Sequence, residues 1–481
     1  MLKLILRQTN WGILGAVFGF SIGFFVKIYL LDIVGLDAWG KYVAAQTFVS
    51  FVETVLSIGI PYVIIKFIPN FVDRNQEKAS RIANIFLKYA LVVGLGFLFL
   101  NYFFSPYISK YIYTKLDNFS TILFLMSIHV PITLLFGVII SLYRSMLKIK
   151  EIVLYGTVVA VIVRAVLTFV VFQFTSDISY FIFIEIFTQI LVLSILLFLF
   201  DKNQFPLFVK SKTNDIIEDD KMLSYGKKMF FNSIVAFVSG QSLSFIISIK
   251  LASVDVGAYN ILLTLAGLST FLLINLNKVF APAISKLYHD RNFKELNDLY
   301  KKTTFLINLC AIPLVVNVAI FADEILGLYT VEMLVYKEYL FYMLAGGMLS
   351  LAAGSSGTFM IMAGLEKQNL KIQFIRAIML ILLSLWLIPL MGLKIVVILY
   401  VLAMLFVNLI QVFYIYTYIN ISPFSKELII LFIATIFIMY FAMNQNIHFS
   451  LSHFFIIPIF SFALFFSIMF KSLKRLLKDI I

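Results

Sequence analysis

The chain has 481 residues, of which 62% are hydrophobic and 13% are charged. A soluble domain has roughly a quarter of its residues charged and could not bury this much apolar surface, so the composition excludes a soluble globular protein. The formal net charge of +13 would suggest a nucleic-acid partner for a soluble protein. For a membrane protein we attribute it to basic cytoplasmic loops and to attraction to anionic lipids, and we expect no nucleic-acid partner.

Apolar runs of about 20 residues, the length of a membrane-spanning helix, follow one another along the chain. Each run is continuously apolar and lacks the alternation of a barrel strand, so we predict an all-α integral membrane protein. About fourteen transmembrane helices are expected, at residues 11–31, 43–68, 83–102, 119–141, 153–173, 179–200, 229–250, 259–280, 303–322, 338–362, 372–390, 393–417, 427–443 and 450–470.

The basic residues lie on one side of this pattern. Thirty of the 38 Lys and Arg residues fall in alternate gaps between the apolar runs, six fall in the other gaps and two lie inside the runs. Cationic loops stay on the cytoplasmic side of a membrane. We therefore expect a multi-pass protein with both termini in the cytoplasm.

The longest loop, residues 201–228, is charged and divides the chain. Residues 1–200 would form an N-terminal lobe with six spans, and residues 229–417 a second lobe with six. Residues 418–481 would add two spans and a basic cytoplasmic tail.

A faint internal repeat supports two related lobes. Residues 34–42 follow the first span and residues 253–259 follow the seventh, and each stretch has an acidic residue followed by Gly and Tyr. Each of the spans that follow ends near a proline and an Asp-Arg-Asn sequence, at 73–75 and at 290–292. Repeated units of this kind are common in transporters.

The sequence contains none of the short motifs of well-known enzymes. A Walker-type phosphate loop, HExxH, CxxC, GxSxG and an EF-hand loop are all missing from it, and its four histidines have no metal-ligand spacing. Cys310 is the single cysteine, so a disulfide framework is excluded. The outward gaps of about 17 residues or fewer leave little room for an external catalytic domain. We expect a transporter without metal or cofactor rather than an enzyme.

Charged residues at bilayer depth are costly and are default functional candidates. From a rise of about 1.5 Å per residue, Arg164 lies about 16 Å from the inner end of its span, and Glu53 and His129 lie about 15 Å from the outer ends of theirs. Glu185 lies about 9 Å and Lys27 about 6 Å below the outer edge. We predict that Arg164 and Lys27 bind an anionic head group, and that Glu53, His129 and Glu185 couple transport to protons or another ion.

Each of these residues also has a purely structural alternative. Arg164 and Glu185 lie on consecutive antiparallel helices at depths that differ by about 5 Å, so they could simply pair and lock two helices together. His129 could be a satisfied packing residue, Glu53 could form a hydrogen bond between helices, and Lys27 could anchor its helix at the interface.

Glycines mark candidate sites of bending. Gly15, Gly19 and Gly23 recur every four residues in the first span, where they would allow close packing of another helix or flexing of this one. Gly354 and Gly357 are a second pair of helix-flexing candidates, in the tenth span.

Several stretches resemble the polysaccharide-biosynthesis (Wzx-like) flippases of the multidrug/oligosaccharidyl-lipid/polysaccharide exporter superfamily. They are Gly-Leu-Asp-Ala-Trp-Gly-Lys-Tyr at 35–42, Val-Gly-Ala-Tyr at 256–259, Phe-Ala-Pro-Ala-Ile-Ser-Lys-Leu-Tyr at 280–288 with residues 295–300, and the basic loop 144–150. The likeness extends over nearly the whole chain. No binding residue is carried over from it, because the positions that line the cavity vary widely in that family.

The resemblance implies two six-helix lobes in a V-shaped arrangement plus two C-terminal helices. It implies a flippase of the bacterial inner membrane that moves an undecaprenyl-diphosphate-linked oligosaccharide, such as an O-antigen unit of lipopolysaccharide, to the periplasmic leaflet by alternating access. The coupling ion would be H+ or Na+, and membrane lipids and other polysaccharide-assembly proteins would be its partners.

Three alternatives stay open. A cation-coupled multidrug antiporter is one, although such exporters usually have twelve spans. A lipid II flippase is another, although Lys27 is the only cation within the first span here. A membrane glycan polymerase or ligase is the third.

Overall fold

The computed structural model describes residues 2–72, 75–207, 220–433 and 435, which contain no β-strand. The helices of the first part of the chain are α1 Leu2–Leu56, α2 Ile60–Val72, α3 Gln76–Tyr111, α4 Phe119–Ser127, α5 His129–Ser145, α6 Ile149–Glu151, a π-helix Ile152–Val159, α7 Ala160–Val171, α8 Ile178–Asn203 and α9 Asp220–Lys250. Those that follow are α10 Ser253–His289, α11 Phe293–Ile320, α12 Ala322–Tyr329, a 3-10 helix Val331–Tyr336, α13 Lys337–Ala352, α14 Ser356–Met362, α15 Glu366–Met391 and α16 Leu393–Ile419.

Ten helical segments among the described residues are long and apolar enough to cross a membrane. The prediction of an all-α, multi-pass membrane protein is therefore confirmed. The number of fourteen spans stays a prediction. The expected span 450–470 lies entirely outside the described residues. Of the expected span 427–443, the structure describes only residues 427–433 and 435.

Two glycines with left-handed backbone break the helices at the start of the chain, one between two predicted spans and one inside a predicted span. The φ of Gly35 is 77°, and this residue divides α1 into two helices. The predicted span 43–68 is not continuous, because α1 ends at Leu56 and α2 begins at Ile60 after a turn that contains Gly59, with φ of 72°. A Cβ at Gly59 would lie 2.7 Å from the carbonyl oxygen of Gly226, so the close approach of two backbones also requires glycine here.

The asparagine that ends each Asp-Arg-Asn sequence has the same local role in both halves of the chain. Asn75 caps α3, where its side chain accepts a hydrogen bond from the backbone N–H of Lys78 at 3.0 Å. Asn292 caps α11 and accepts from the N–H of Glu295 at 3.3 Å. Asparagine favours this position because its side-chain oxygen satisfies an otherwise free N–H of the first turn.

The first parts of the two repeat copies, around Gly40 and Gly257, contact each other. A Cβ at Gly40 would overlap the carbonyl oxygen of Ser253, and one at Gly257 would lie 2.7 Å from the carbonyl oxygen of Leu36. The hydroxyl group of Ser253 donates a hydrogen bond to the carboxylate of Asp37. The glycines of the repeat thus permit the start of α10 to cross α1 at backbone distance.

The contacts between Cα atoms divide the chain into two compact units, Met1–Gly257 and a second unit that begins at Ala258. The sequence assigned residues 229–250 to the second lobe, whereas the structure packs α9 within the first unit. The ring of Phe51 on α1 lies 5.5 Å from that of Phe237 and 5.4 Å from that of Phe245. The lobes as functional divisions stay a prediction.

Candidate substrate site in the first unit

The first unit encloses a polar cavity of about 270 Å³. Four helices bring the predicted charged residues to its wall: α1 supplies Glu53, α5 supplies His129, α7 supplies Arg164 and α8 supplies Glu185. Four of the five predicted head-group and coupling residues thus meet in one place. The depths in the bilayer that the sequence predicts for them agree with their proximity in the structure.

Arg164 and Glu185 form an ion pair at the edge of this cavity. Nη1 of Arg164 donates to Oε1 of Glu185 at 2.9 Å, and the hydroxyl group of Tyr42 donates to Oε2 at 2.7 Å. The Glu185 side chain is only 10% exposed, whereas that of Arg164 is 39% exposed. The structural alternative of an ion pair between α7 and α8 is therefore confirmed, and the same guanidinium also faces the cavity.

A second line of hydrogen bonds joins His129 to Glu53. Nδ1 of His129 lies 2.8 Å from Oε1 of Gln189, and Nε2 of Gln189 donates to the hydroxyl oxygen of Thr133 at 2.9 Å. The hydroxyl group of Thr133 is hydrogen-bonded in turn to Glu53. Because the Gln189 amide group donates to Thr133, its oxygen accepts from Nδ1–H of His129, and His129 thereby acquires a fixed tautomer.

Three polar side-chain atoms of this site have no partner among the residues that the structure describes. They are Nε of Arg164, Nε2 of His129 and Oγ1 of Thr188, all buried. Buried polar atoms are normally hydrogen-bonded, so each is a candidate contact for a bound ligand or water. The cavity is lined by one arginine and two glutamate side chains, and Arg164 is already paired with Glu185.

The helix that carries Arg164 begins in an unusual way. The π-helix Ile152–Val159 directly precedes α7, and such segments are frequent at functional sites because they locally widen the helix. This π-helix packs on the glycine face of α1. A Cβ at Gly15 would lie 2.6 Å from Cγ1 of Val153, and one at Gly19 would lie 3.2 Å from Cγ2 of Thr157.

Gly23, the third glycine of that face, has open space around it. A Cβ at this position would have no atom of the described residues within 4 Å. The geometry therefore gives Gly15 and Gly19 a packing role and leaves Gly23 without one. A bending role for the three stays a prediction.

Lys27 does not line the polar cavity. Its Nζ lies 5.3 Å from the centroid of the Trp39 ring, and that ring lies 4.9 Å from the ring of Tyr42. The side chains of Trp39 and Tyr42 thus connect Lys27 to the carboxylate of Glu185. The predicted head-group contact of Lys27 would require a different arrangement of α1.

Comparison with known proteins shows the family of this chain. The family model described as polysaccharide biosynthesis protein matches residues 33–332, more than half of the chain. The chain belongs to the polysaccharide biosynthesis protein family. None of the curated proteins compared with it by sequence matches.

Solved structures with this fold are membrane transporters. The lipid II flippase MurJ in an inward closed conformation is 16% identical, with 96% of this chain and 99% of that chain covered and a TM-score of 0.72. A MATE protein in complex with MaL6 is 14% identical, with 87% and 96% covered and a TM-score of 0.58. A transporter of the MOP superfamily from Pyrococcus furiosus is 15% identical, with 87% and 96% covered and a TM-score of 0.59. The predicted superfamily fold is confirmed.

The second unit of this polysaccharide biosynthesis protein contains the other predicted glycines. Gly354 has a φ of 59° and separates α13 from α14, and a Cβ there would lie 2.9 Å from Cβ of Thr304. Gly357 lies beside Gln411, whose Oε1 accepts a hydrogen bond from Ser356 at 2.7 Å. The predicted bend in the tenth span is therefore present as a helix break, while its flexing stays a prediction.

Sequence reasoning missed the neutral polar residues of this site. Gln46, Ser50, Thr133, Thr188 and Gln189 line the cavity, and Tyr42 binds Glu185 from outside the lining. A signal for two of them was available: Tyr42 ends the motif at 35–42, and Gln189 lies one helical turn after Glu185 and therefore on the same face. Neutral polar residues are less costly in a membrane than charges, so they stand out less.

Proposed function

We propose that this protein is a flippase that moves an undecaprenyl-diphosphate-linked oligosaccharide from the cytoplasmic to the periplasmic leaflet of a bacterial inner membrane. Family membership and the shared fold of flippases and transporters support this proposal. The single observation that carries it is the partly exposed Arg164 guanidinium on a polar cavity. The helix rise along its predicted span places Arg164 near mid-bilayer depth. The distribution of basic residues supports cytoplasmic termini.

Arg164 is the residue that would bind the diphosphate. A guanidinium group presents two parallel N–H donors that match phosphate oxygens, and its charge is permanent. In the structure one of these donors is occupied by Glu185, at 2.9 Å. The diphosphate therefore has to replace the carboxylate of Glu185 on Arg164.

Protonation of Glu185 would make this replacement favourable. A neutral carboxyl group no longer competes for the guanidinium, and the hydroxyl group of Tyr42 can change from donor to acceptor and hold the new O–H. Glu53 and His129, linked through Thr133 and Gln189, offer a second place for a proton in the same cavity. H+ is accordingly the coupling ion that we propose, and Na+ is the alternative.

Coupling then follows from differential binding. A ligand shifts an equilibrium between inward and outward conformations only by its difference in affinity for the two. If the proton and the diphosphate each favour a different state of the pair between Arg164 and Glu185, their binding biases that equilibrium in opposite directions. No covalent step is required, which fits a transporter rather than an enzyme.

Export of glycan in a deletion strain tests the head-group role. We expect Arg164→Ala, at normal protein level, to reduce export by at least about tenfold, because charge-assisted hydrogen bonds to the diphosphate are lost. Arg81→Ala is the matched control, since Arg81 pairs with Glu77 at 2.5 Å outside the cavity. Full export by Arg164→Ala would exclude the head-group role.

The lipid-linked intermediates of the deletion strain separate a flippase from a polymerase or ligase. Loss of a flippase leaves lipid-linked repeats on the inner leaflet, whereas loss of a polymerase displays single repeats on the outer leaflet. Accumulation on the outer leaflet would contradict the proposed function.

A multidrug exporter is the second candidate, favoured by the two carboxyl groups that line the cavity with a single guanidinium group. Such a cavity suits a lipophilic cation better than an anion. Binding of a fluorescent lipophilic cation that is insensitive to inorganic diphosphate would favour the exporter. Competition of inorganic diphosphate for Arg164 would favour the flippase.

A further inference from the structure

A second cavity, of about 350 Å³, adjoins the polar one in the first unit. Ser50, Glu53 and Thr133 line both cavities, so these three residues form the wall between them. We call the first the polar chamber and the second the apolar chamber. The volume of the apolar chamber lies within the range of about 300–1,000 Å³ that is usual for small-molecule sites.

Three of the hydroxyl groups that line the apolar chamber donate to backbone carbonyl oxygens. Thr54 donates to the carbonyl oxygen of Ser50 at 2.8 Å, Ser57 donates to that of Thr54 at 3.0 Å, and Tyr89 donates to that of Leu56 at 3.0 Å. These side chains therefore present mainly carbon to the space. Most of the remaining wall is apolar, with Gln241 and the shared residues Ser50, Glu53 and Thr133 as its other polar members. The apolar part includes Ile60, Pro61, Leu134, Val138 and Phe237.

The two chambers thus differ in what they offer a ligand. In the polar chamber, Nε of Arg164 and Nε2 of His129 lack partners among the described residues, so polar contacts are available. In the apolar chamber, burial of hydrocarbon is the main contribution to binding. A ligand that occupies both must have a polar and an apolar part joined next to Ser50, Glu53 and Thr133.

We propose that the apolar chamber holds the first prenyl units of the lipid-linked substrate while Arg164 holds its diphosphate. This inference rests on the proposed function. A diphosphate at Arg164 lies inside the protein, and the prenyl chain bonded to it begins within a few bonds of the phosphorus. The carbons next to the diphosphate therefore cannot remain in the lipid, and the adjoining apolar chamber removes them from the polar one.

Gly137 offers a way to fill this chamber selectively. It lines the apolar chamber from α5, and a Cβ there would have no atom within 4 Å. Gly137→Leu should fold, because leucine favours a helix more than glycine does and the space is open. Gly96→Leu is the matched control: Gly96 on α3 has equally open surroundings and does not line either chamber.

The test compares binding of farnesyl diphosphate and inorganic diphosphate to the purified full chain. We expect the unchanged protein and Gly96→Leu to bind farnesyl diphosphate at least about tenfold more tightly than inorganic diphosphate, since burial of two methylene groups suffices for that factor. Gly137→Leu should lose this preference and bind inorganic diphosphate as before.

The outcomes separate this inference from the proposed function. An unchanged preference in Gly137→Leu, or an equal loss in both variants, would overturn the prenyl site and leave the head-group role intact. If inorganic diphosphate does not bind to the unchanged protein at all, the head-group role and the prenyl site both fail. Arg164→Ala is measured in the same way. If farnesyl diphosphate binds less tightly to Gly137→Leu but as tightly to Arg164→Ala as to the unchanged protein, only the head-group role is overturned.

Discussion

Arg164 and Glu185 are held together at 2.9 Å across α7 and α8, and the hydroxyl group of Tyr42 binds the second carboxylate oxygen at 2.7 Å. This arrangement keeps the guanidinium beside the polar cavity while its charge is compensated. An anion in the cavity must compete with the carboxylate of Glu185 for Arg164, the only arginine among the residues that line the cavity. The pair is therefore suited to control when an anionic head group binds.

Glu185→Gln should uncouple binding from transport. The substitution removes the competing charge, so inorganic diphosphate should bind about tenfold more tightly or better, given the strength of a close charge pair near a protein surface. Glycan export should fall, because the head group is no longer released by return of the carboxylate. Binding and export are measured on the same variant.

Glu77→Gln is the control for that experiment, because Glu77 forms an ion pair with Arg81 on the same helix, outside the cavity. It should change neither quantity. Weaker diphosphate binding in Glu185→Gln would contradict the competition between the two anions.

Tyr42→Phe should weaken control of the pair without disturbing the packing around it. The ring of Tyr42 lies 4.9 Å from that of Trp39 and 5.4 Å from that of Phe181, contacts that phenylalanine keeps. Loss of the hydrogen bond to a charged group should reduce stability by about 1.5–3 kcal/mol. The pH profile of transport should shift as well, since Tyr42 holds both forms of the carboxyl group.

Tyr143→Phe serves for comparison. Its hydroxyl group donates to the carbonyl oxygen of Leu196 at 3.0 Å in a buried position outside the cavity. This variant should lose stability and keep the pH profile. An identical effect of both variants on the profile would mean that Tyr42 acts through stability alone.

The connection between His129 and Glu53 can be cut with little change of shape. Thr133→Val removes the hydroxyl group that accepts from Gln189 and binds Glu53. We expect proton uptake during transport by proteoliposomes to slow by about tenfold, while binding of inorganic diphosphate stays within about twofold, because Arg164 is untouched.

Thr47→Val is the matched control, since the hydroxyl group of Thr47 only donates to the carbonyl oxygen of Val43 on its own helix. Proton uptake at the normal rate in Thr133→Val would remove this line of hydrogen bonds from the coupling mechanism.

The sequence predicted which charges share a depth, but not what they contact. A charge inside the bilayer must face protein or water, and arithmetic on helix rise placed Arg164, Glu53 and His129 about 15 Å deep, with Glu185 about 5 Å from Arg164 in depth. Whether Arg164 paired with Glu185 or faced a cavity stayed open, because a span that is apolar all round has no polar face to set its rotation. In the structure Arg164 pairs with Glu185 and also faces the cavity.

The helix breaks were harder to predict from the sequence. Gly354 was recognised because glycines and serines cluster there, whereas Gly59, although Ser57 and Pro61 flank it, was assigned to one continuous span. That turn depends on the approach of the backbone of Gly226 on α9, a tertiary contact 167 positions away along the chain. Local sequence carries no record of such a contact.

The glycine face of α1 gives a prediction about packing beside Arg164. Gly15→Leu should destabilise the protein by about 1–3 kcal/mol, because its Cβ would lie 2.6 Å from Cγ1 of Val153 on the π-helix. Gly23→Leu should be tolerated, since the space around Gly23 is open. Thermal unfolding in detergent measures both. Adding Val153→Ala to Gly15→Leu should restore much of the loss by removing the clashing methyl groups. A failure of this rescue, or an equal loss in Gly23→Leu, would mean that the glycines serve bending of α1 rather than its packing on the helix that positions Arg164.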